Sequence, residues 1–167
     1  MRTFCIAGLL LAFSLGLFAQ KATVVSPNRK ISIELFNAQN AENDEWYLKV
    51  NYSNQEQKCE VIPQIKLGLA RADQDFSNGL KFLKASKPLV IHEKYTAIHG
   101  KKSECSNKAN EVVVSFENQK KSKLNIIIRA YNDGVAFRYQ FPEKGGSFVV
   151  NDELTVYCMT DSTKRWL

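Results

Sequence analysis

The 167-residue chain predicts an all-β fold, an antiparallel β-sandwich. Three observations point there: apolar and polar residues alternate in many short runs, polar turn clusters separate those runs, and no stretch carries a convincing helical period. The size suits one domain with its own core, since chains near 150 residues bury most of the apolar surface they expose when unfolded. With 44% hydrophobic and 24% charged residues, the chain is neither disordered nor fibrous in composition.

The runs follow in order. Ile31, Ile33 and Leu35 alternate with Ser32 and Glu34, and Trp46, Leu48, Val50 and Tyr52 alternate with Tyr47, Lys49 and Asn51. Further runs rich in Val, Ile, Tyr and Phe occupy 65–70, 89–95, 111–117, 124–131, 135–141 and 154–159. Such side chains suit a pleated, half-buried surface. Residues 80–85 read equally as a strand or a short turn of helix. Lys, Asn, Gln, Ser and Gly gather between the runs, as turns require. Many short strands at this spacing indicate a sandwich or barrel. No internal repeat, low-complexity tract or linker marks a second domain.

One hairpin can be worked out residue by residue. Asn132, Asp133 and Gly134 interrupt two strong runs, and Asp133-Gly134 suits the positive φ values of a two-residue type I′ turn. That loop sets Ala130 against Phe137, Ile128 against Tyr139 and Ile126 against Phe141, all apolar. The other face then carries Tyr131 opposite Ala136, Arg129 opposite Arg138 and Ile127 opposite Gln140. A three-residue loop sets Arg129 against Phe137 and mixes the faces, so the pattern selects the two-residue register. Two arginines directly opposite each other repel. Either a neighbouring-strand acid, Glu111 or Glu117, relieves this within the domain, or Arg129 and Arg138 face another domain or an anionic group.

The N-terminus reads as an export signal. Met1-Arg2 is a short positive start, residues 3–18 are uncharged and rich in Leu, Phe, Ala and Gly, and Ala19 offers a small residue at the cut. Residues 1–19 are therefore expected to be a cleaved signal peptide. The mature chain, 20–167, is expected in the periplasm or outside the cell, without a membrane anchor. The apolar run is short for a membrane span, and Cys5 is misplaced for a lipoprotein signal.

Composition narrows the chemistry. The formal charge of +6 is spread along the chain, mostly as Lys, with dense groups at Lys101-Lys102 and Lys120-Lys121-Ser122-Lys123 in expected loops. Nucleic-acid binding calls for an Arg-rich stripe with interleaved aromatics, which is missing. Cys59, Cys105 and Cys158 lie too far apart in sequence for paired zinc ligands and are read as small buried residues, one disulfide remaining open to them. His92-Glu93 followed by His99 lacks the i, i+4 spacing of a helical zinc site. No GxSxG elbow and no phosphate-binding glycine loop is present. Paired carboxylates that could hydrolyse a glycoside have no distinguishing context. Trp46, Tyr47 and Tyr95 are candidates either for sugar stacking or for the core.

Several stretches resemble one known family. Ser26-Pro27-Asn28 leading into Lys30-Ile31-Ser32-Ile33, then Ile65-Lys66-Leu67-Gly68-Leu69, Tyr95 through Gly100-Lys101, and Asn110-Glu111 are similar to parts of glycoside hydrolase family 97. The strongest resemblance is Arg129-Ala130-Tyr131-Asn132-Asp133-Gly134-Val135-Ala136-Phe137-Arg138-Tyr139, which looks like that family's signature hairpin. The resemblance implies an N-terminal β-sandwich of the super-sandwich type, followed in the family by a (β/α)8 catalytic barrel and a small C-terminal β-domain. It implies exported α-glucosidases, which invert, or α-galactosidases, which retain, with calcium in the active site and catalytic carboxylates on the barrel.

A barrel takes about 250 residues, and this chain stops at Arg165-Trp166-Leu167. No catalytic residue and no metal ligand is therefore assigned to it, the family's calcium-binding glutamate of this domain belonging beyond Leu167. The 167-residue polypeptide alone is expected not to hydrolyse glycosides. Its expected partner is the catalytic barrel of the same full-length polypeptide. Arg129 and Arg138 are the candidate contacts, and Asn132, Asp133 and Gly134 set the turn between them. A free-standing secreted carbohydrate-binding module, with an oligosaccharide as partner, is the alternative.

Overall fold

The computed structural model describes residues 20–40, 43–54, 57–101, 103–161 and 163. The expected signal peptide lies outside the described residues. Those described form strands and no helix: β1 (Gln20–Val25), β2 (Ile31–Asn40), β3 (Asn43–Ser53), β4 (Lys58–Lys66), β5 (Leu69–Arg71) and β6 (Lys81–Ala85). Then come β7 (Leu89–Thr96), β8 (Glu104–Glu117), β9 (Lys123–Tyr131), β10 (Val135–Gln140), β11 (Val150–Glu153) and β12 (Val156–Cys158). One sheet runs β1-β2-β3-β4-β12 and the other β10-β9-β8-β6, with β7 also paired to β8; β5 and β11 form a small third sheet. The antiparallel β-sandwich expected from alternation is present.

Alternation decides what lies between the sheets. Ile33 and Leu35 of β2, Leu48 and Val50 of β3, and Ile65 of β4 bury one face; Val112, Val114 and Phe116 of β8 and Leu124, Ile126, Ile128 and Ala130 of β9 meet them. Each large aliphatic residue buried there contributes about 1.5–3 kcal/mol relative to exposure. Trp46 closes one end of this core, its indole N–H donating to the Leu80 carbonyl at 2.6 Å and its ring 4.9 Å from that of Phe116.

The structure differs from expectation in places where tertiary contacts act. The run 65–70 is broken between β4 and β5, because Leu67 and Leu69 both turn into the core and Gly68 lies against Leu154, whose amide donates to the Gly68 carbonyl. A Cβ on Gly68 would stand 3.1 Å from that of Leu154. Residues 81–85 are a strand, because β6 completes the edge of β8. Of the run 154–159 only Val156–Cys158 is strand, β12 on the edge of the first sheet, while β11 lies just before the run and joins a different sheet.

The hairpin register needs correction. Ala130 pairs with Val135, Ile128 with Phe137 and Ile126 with Tyr139, so each partner stands two residues from its expected place. The loop is Asn132-Asp133, closed by the Tyr131 amide donating to the Gly134 carbonyl at 2.8 Å. None of Asn132, Asp133 and Gly134 has a positive φ, so the type I′ turn is absent. Because the displacement is even, both faces keep their side chains. Arg129 now stands opposite Ala136 and Arg138 opposite Ile127, which removes the expected repulsion, while Asn125 gains a 3.2 Å hydrogen bond to Gln140.

Candidate functional site

Asn132 is held from another part of the chain. The Ser26–Asn28 turn between β1 and β2 is tied internally: Ser26 Oγ donates to Asn28 Oδ1 (2.7 Å), which also accepts the Lys30 amide (3.0 Å). Arg29 takes a left-handed φ of 61° there, its amide bonded to the Ser26 carbonyl. Asn28 then donates its own amide to Asn132 Oδ1 at 2.9 Å. The turn of one sheet thus fixes the hairpin loop of the other.

On the outer face of the second sheet, Arg129 meets Glu111, its cross-strand neighbour on β8, at 2.6 Å. Glu93 of β7 reaches the same guanidinium at 3.0 Å, and the Tyr131 hydroxyl lies at 3.4 Å. Glu111 is therefore one of the acids that neutralises Arg129, while Glu117 pairs with Lys81. Arg138 is exposed and has no ion pair among the described residues. Arg129, Arg138, Glu93 and Tyr131 rim a hollow of about 370 Å³ with Ile127, Ala136 and Phe137 below. Beside it, the open edge between β10 and β4 to β12 forms a groove of about 520 Å³, lined by Ile62, Ile65, Phe137, Tyr139 and Tyr157 among others. Tyr139 spans this edge: its hydroxyl accepts from the Gly68 amide and contacts Thr155 Oγ1, each at 3.0 Å, and burial pushes its pKa up.

A second arginine escaped the sequence reading. Arg71, its side chain 2% exposed, is gripped by Glu143 (2.6 and 3.1 Å) and Asp73 (2.6 and 3.0 Å). The rings of Phe148, Phe141 and Phe76 surround its guanidinium carbon at 4.1, 4.7 and 5.6 Å. Glu143 beside it holds the Arg71 pKa above its ordinary value, and Arg71 in turn holds the Asp73 carboxyl below its own. The signal available in sequence was a lone Arg at the end of an apolar run; its partners are too distant to identify from sequence.

Other candidates are dispersed. Trp46 is buried, Tyr47 is half-buried and stacked on Phe36, and Tyr95 is 53% exposed. His92 is exposed on β7 against Ser106, and His99 is exposed beyond that strand. The cysteines are not small core residues: Cys59 is exposed, and Cys105 and Cys158 are half-buried. These strand positions face outward or lie at an edge, where a thiol is not needed to fill space. Among the described residues no group of three or more His, Cys, Asp or Glu side chains comes together.

The family model described as glycosyl-hydrolase 97 N-terminal matches residues 24–167. The chain belongs to glycosyl-hydrolase family 97. A curated relative of this family-97 chain is described as a probable retaining alpha-galactosidase of Streptomyces bingchenggensis (strain BCW-1), 29% identical over 107 residues, covering 64% of this chain and 16% of the relative. Among solved structures, a beta-arabinopyranosidase is 28% identical with a TM-score of 0.70, covering 83% of this chain and 21% of that one. A family 97 enzyme from Pseudoalteromonas sp. strain K8, solved with panose, is 24% identical with a TM-score of 0.59, covering 80% and 20%; this second likeness shows the fold. The family-97 chain thus spans about a fifth or less of the proteins it matches.

Proposed function

We propose that residues 20–167 act as the non-catalytic N-terminal β-sandwich of an exported α-glycosidase, docking to a catalytic barrel and helping to shape its sugar site. The observation that supports this best is the family match over residues 24–167 in a chain that spans 21% of the arabinopyranosidase it resembles. The hollow at Arg138 and the open β10 edge offer surfaces for such docking. In this reading, hydrolysis of α-glucosides or α-galactosides belongs to the barrel, calcium is bound by groups outside the described residues, and the mature protein works in the periplasm or beyond.

The test is activity on p-nitrophenyl α-glucoside and α-galactoside, measured for the 167-residue chain and for the polypeptide that carries it with a barrel. The long polypeptide should turn over one substrate and the short chain neither. Turnover by the short chain would refute the non-catalytic role. Panose binding by the short chain alone would favour a carbohydrate-binding module, for which exposed Tyr95 and Tyr157 are the stacking candidates.

A further inference from the structure

We infer that Arg138 is the receptor for a carboxylate side chain presented by the catalytic part of the same polypeptide, an inference that rests on the docking reading above. Ala136, Phe137 and Arg138 line both the outer hollow and the edge groove, so Arg138 stands on the ridge between two concave surfaces. The surrounding burial is unfinished. Ile126, Ile128 and Ala130 of β9 are at most 1% exposed, whereas their β10 partners Tyr139, Phe137 and Val135 are only half-buried. β10 also ends its sheet, leaving one row of backbone groups unpaired among the described residues, a kind of edge that proteins generally cover or blunt.

Charge selects what reaches Arg138. Within the hollow, Arg129 is engaged by Glu111 and Glu93, and no described carboxylate lies within ion-pair distance of Arg138. A surface covering the hollow would strip water from the Arg138 guanidinium. A cation desolvated without a partner is strongly unfavourable, and a planar guanidinium is best matched by a carboxylate. The half-buried apolar lining supplies the contact that excludes water around such a pair. The chain accounts for 16–21% of the relatives' lengths, so the enzymes it resembles have ample further chain to supply the group.

The experiment places Arg138→Gln and Arg138→Lys in the 167-residue chain and in the polypeptide carrying it with its barrel. Thermal unfolding is followed at low and high salt. In the long polypeptide, Arg138→Gln should lower the midpoint by roughly 2 °C and weaken its salt dependence, and Arg138→Lys should restore part of the loss. In the short chain both variants should stay within about 1 °C of the parent. Equal shifts in both polypeptides, or none in the long one, overturn the inference. Limited proteolysis separates the two failures. Fragments that never re-associate refute docking itself, whereas fragments that re-associate equally well with Arg138→Gln refute only the carboxylate receptor.

Discussion

Replacing Arg71 by Ala should loosen the whole segment that follows β10. The guanidinium supplies charge-assisted hydrogen bonds to Glu143 at 2.6 and 3.1 Å and stands over three phenyl rings. Charged hydrogen bonds contribute about 1.5–3 kcal/mol, and a desolvated cation–π contact reaches about 2 kcal/mol. Glu143 is 34% exposed and can be rehydrated once Arg71 is gone, which reduces the cost; Asp73, 58% exposed, is left out of the sum. The net loss is then about 3 kcal/mol, with the void among Phe76, Phe141 and Phe148 included. With a urea m-value of about 2 kcal/mol/M, the midpoint falls by about 1.5 M. Arg71→Met, which refills the aromatic cage without the charge, should lose about half as much. Protease cleavage between Phe141 and Val150 should rise in Arg71→Ala first, because Phe141, Glu143 and Phe148 are all held by this one side chain. A midpoint shift below about 0.5 M, with cleavage unchanged, would refute the argument.

Two further outcomes follow from the same geometry. Arg129→Met should destabilise the 167-residue chain by about 2 kcal/mol, because Glu111, 13% exposed, loses its 2.6 Å partner; equilibrium urea unfolding measures it, and an unchanged midpoint would show Arg129 to be free for an outside partner. Acid should weaken the fold, because Asp73, beside Arg71, and Asp75, hydrogen-bonded by Ser77, have carboxyl pKa values held below the ordinary 3.8. The unfolded chain takes up these protons first, so this stability is complete above the ordinary value and is lost as pH falls through the depressed folded values. Urea midpoints from about pH 7 to about pH 3 should decline at the acid end, and a flat or rising profile contradicts the assignment.

The inward faces of β2, β3, β8 and β9 could be read from the chain because strand alternation is local. A residue two positions from Ile126 lies on the same side whatever the partner strand does. β1, the first half of β4 and the start of β8 were not legible, since Gln20-Lys21, Lys58-Cys59-Glu60 and Glu104–Lys108 are polar and become strands through backbone pairing with β2, β3 and β7. Arg129 and Arg138 share one outward face, as alternation indicated, but their different circumstances were hidden. Arg129 finds Glu93 from 36 positions away, and Arg138 finds no such partner among the described residues.

Periodicity and composition therefore sufficed for the class of fold, its inner and outer faces, and the hairpin between residues 124 and 141. They could not set the hairpin's register, because a shift of two residues leaves every side chain on the same face and costs the pattern nothing. The choice came from the Asn28–Asn132 contact across 104 positions and from the absence of arginine opposition in the observed pairing. The Arg71 cage is of the same kind: Glu143, 72 positions away, meets the guanidinium only in the folded chain. Local chemistry selects a strand and its faces, whereas a buried charge or a register depends on groups that only folding brings together.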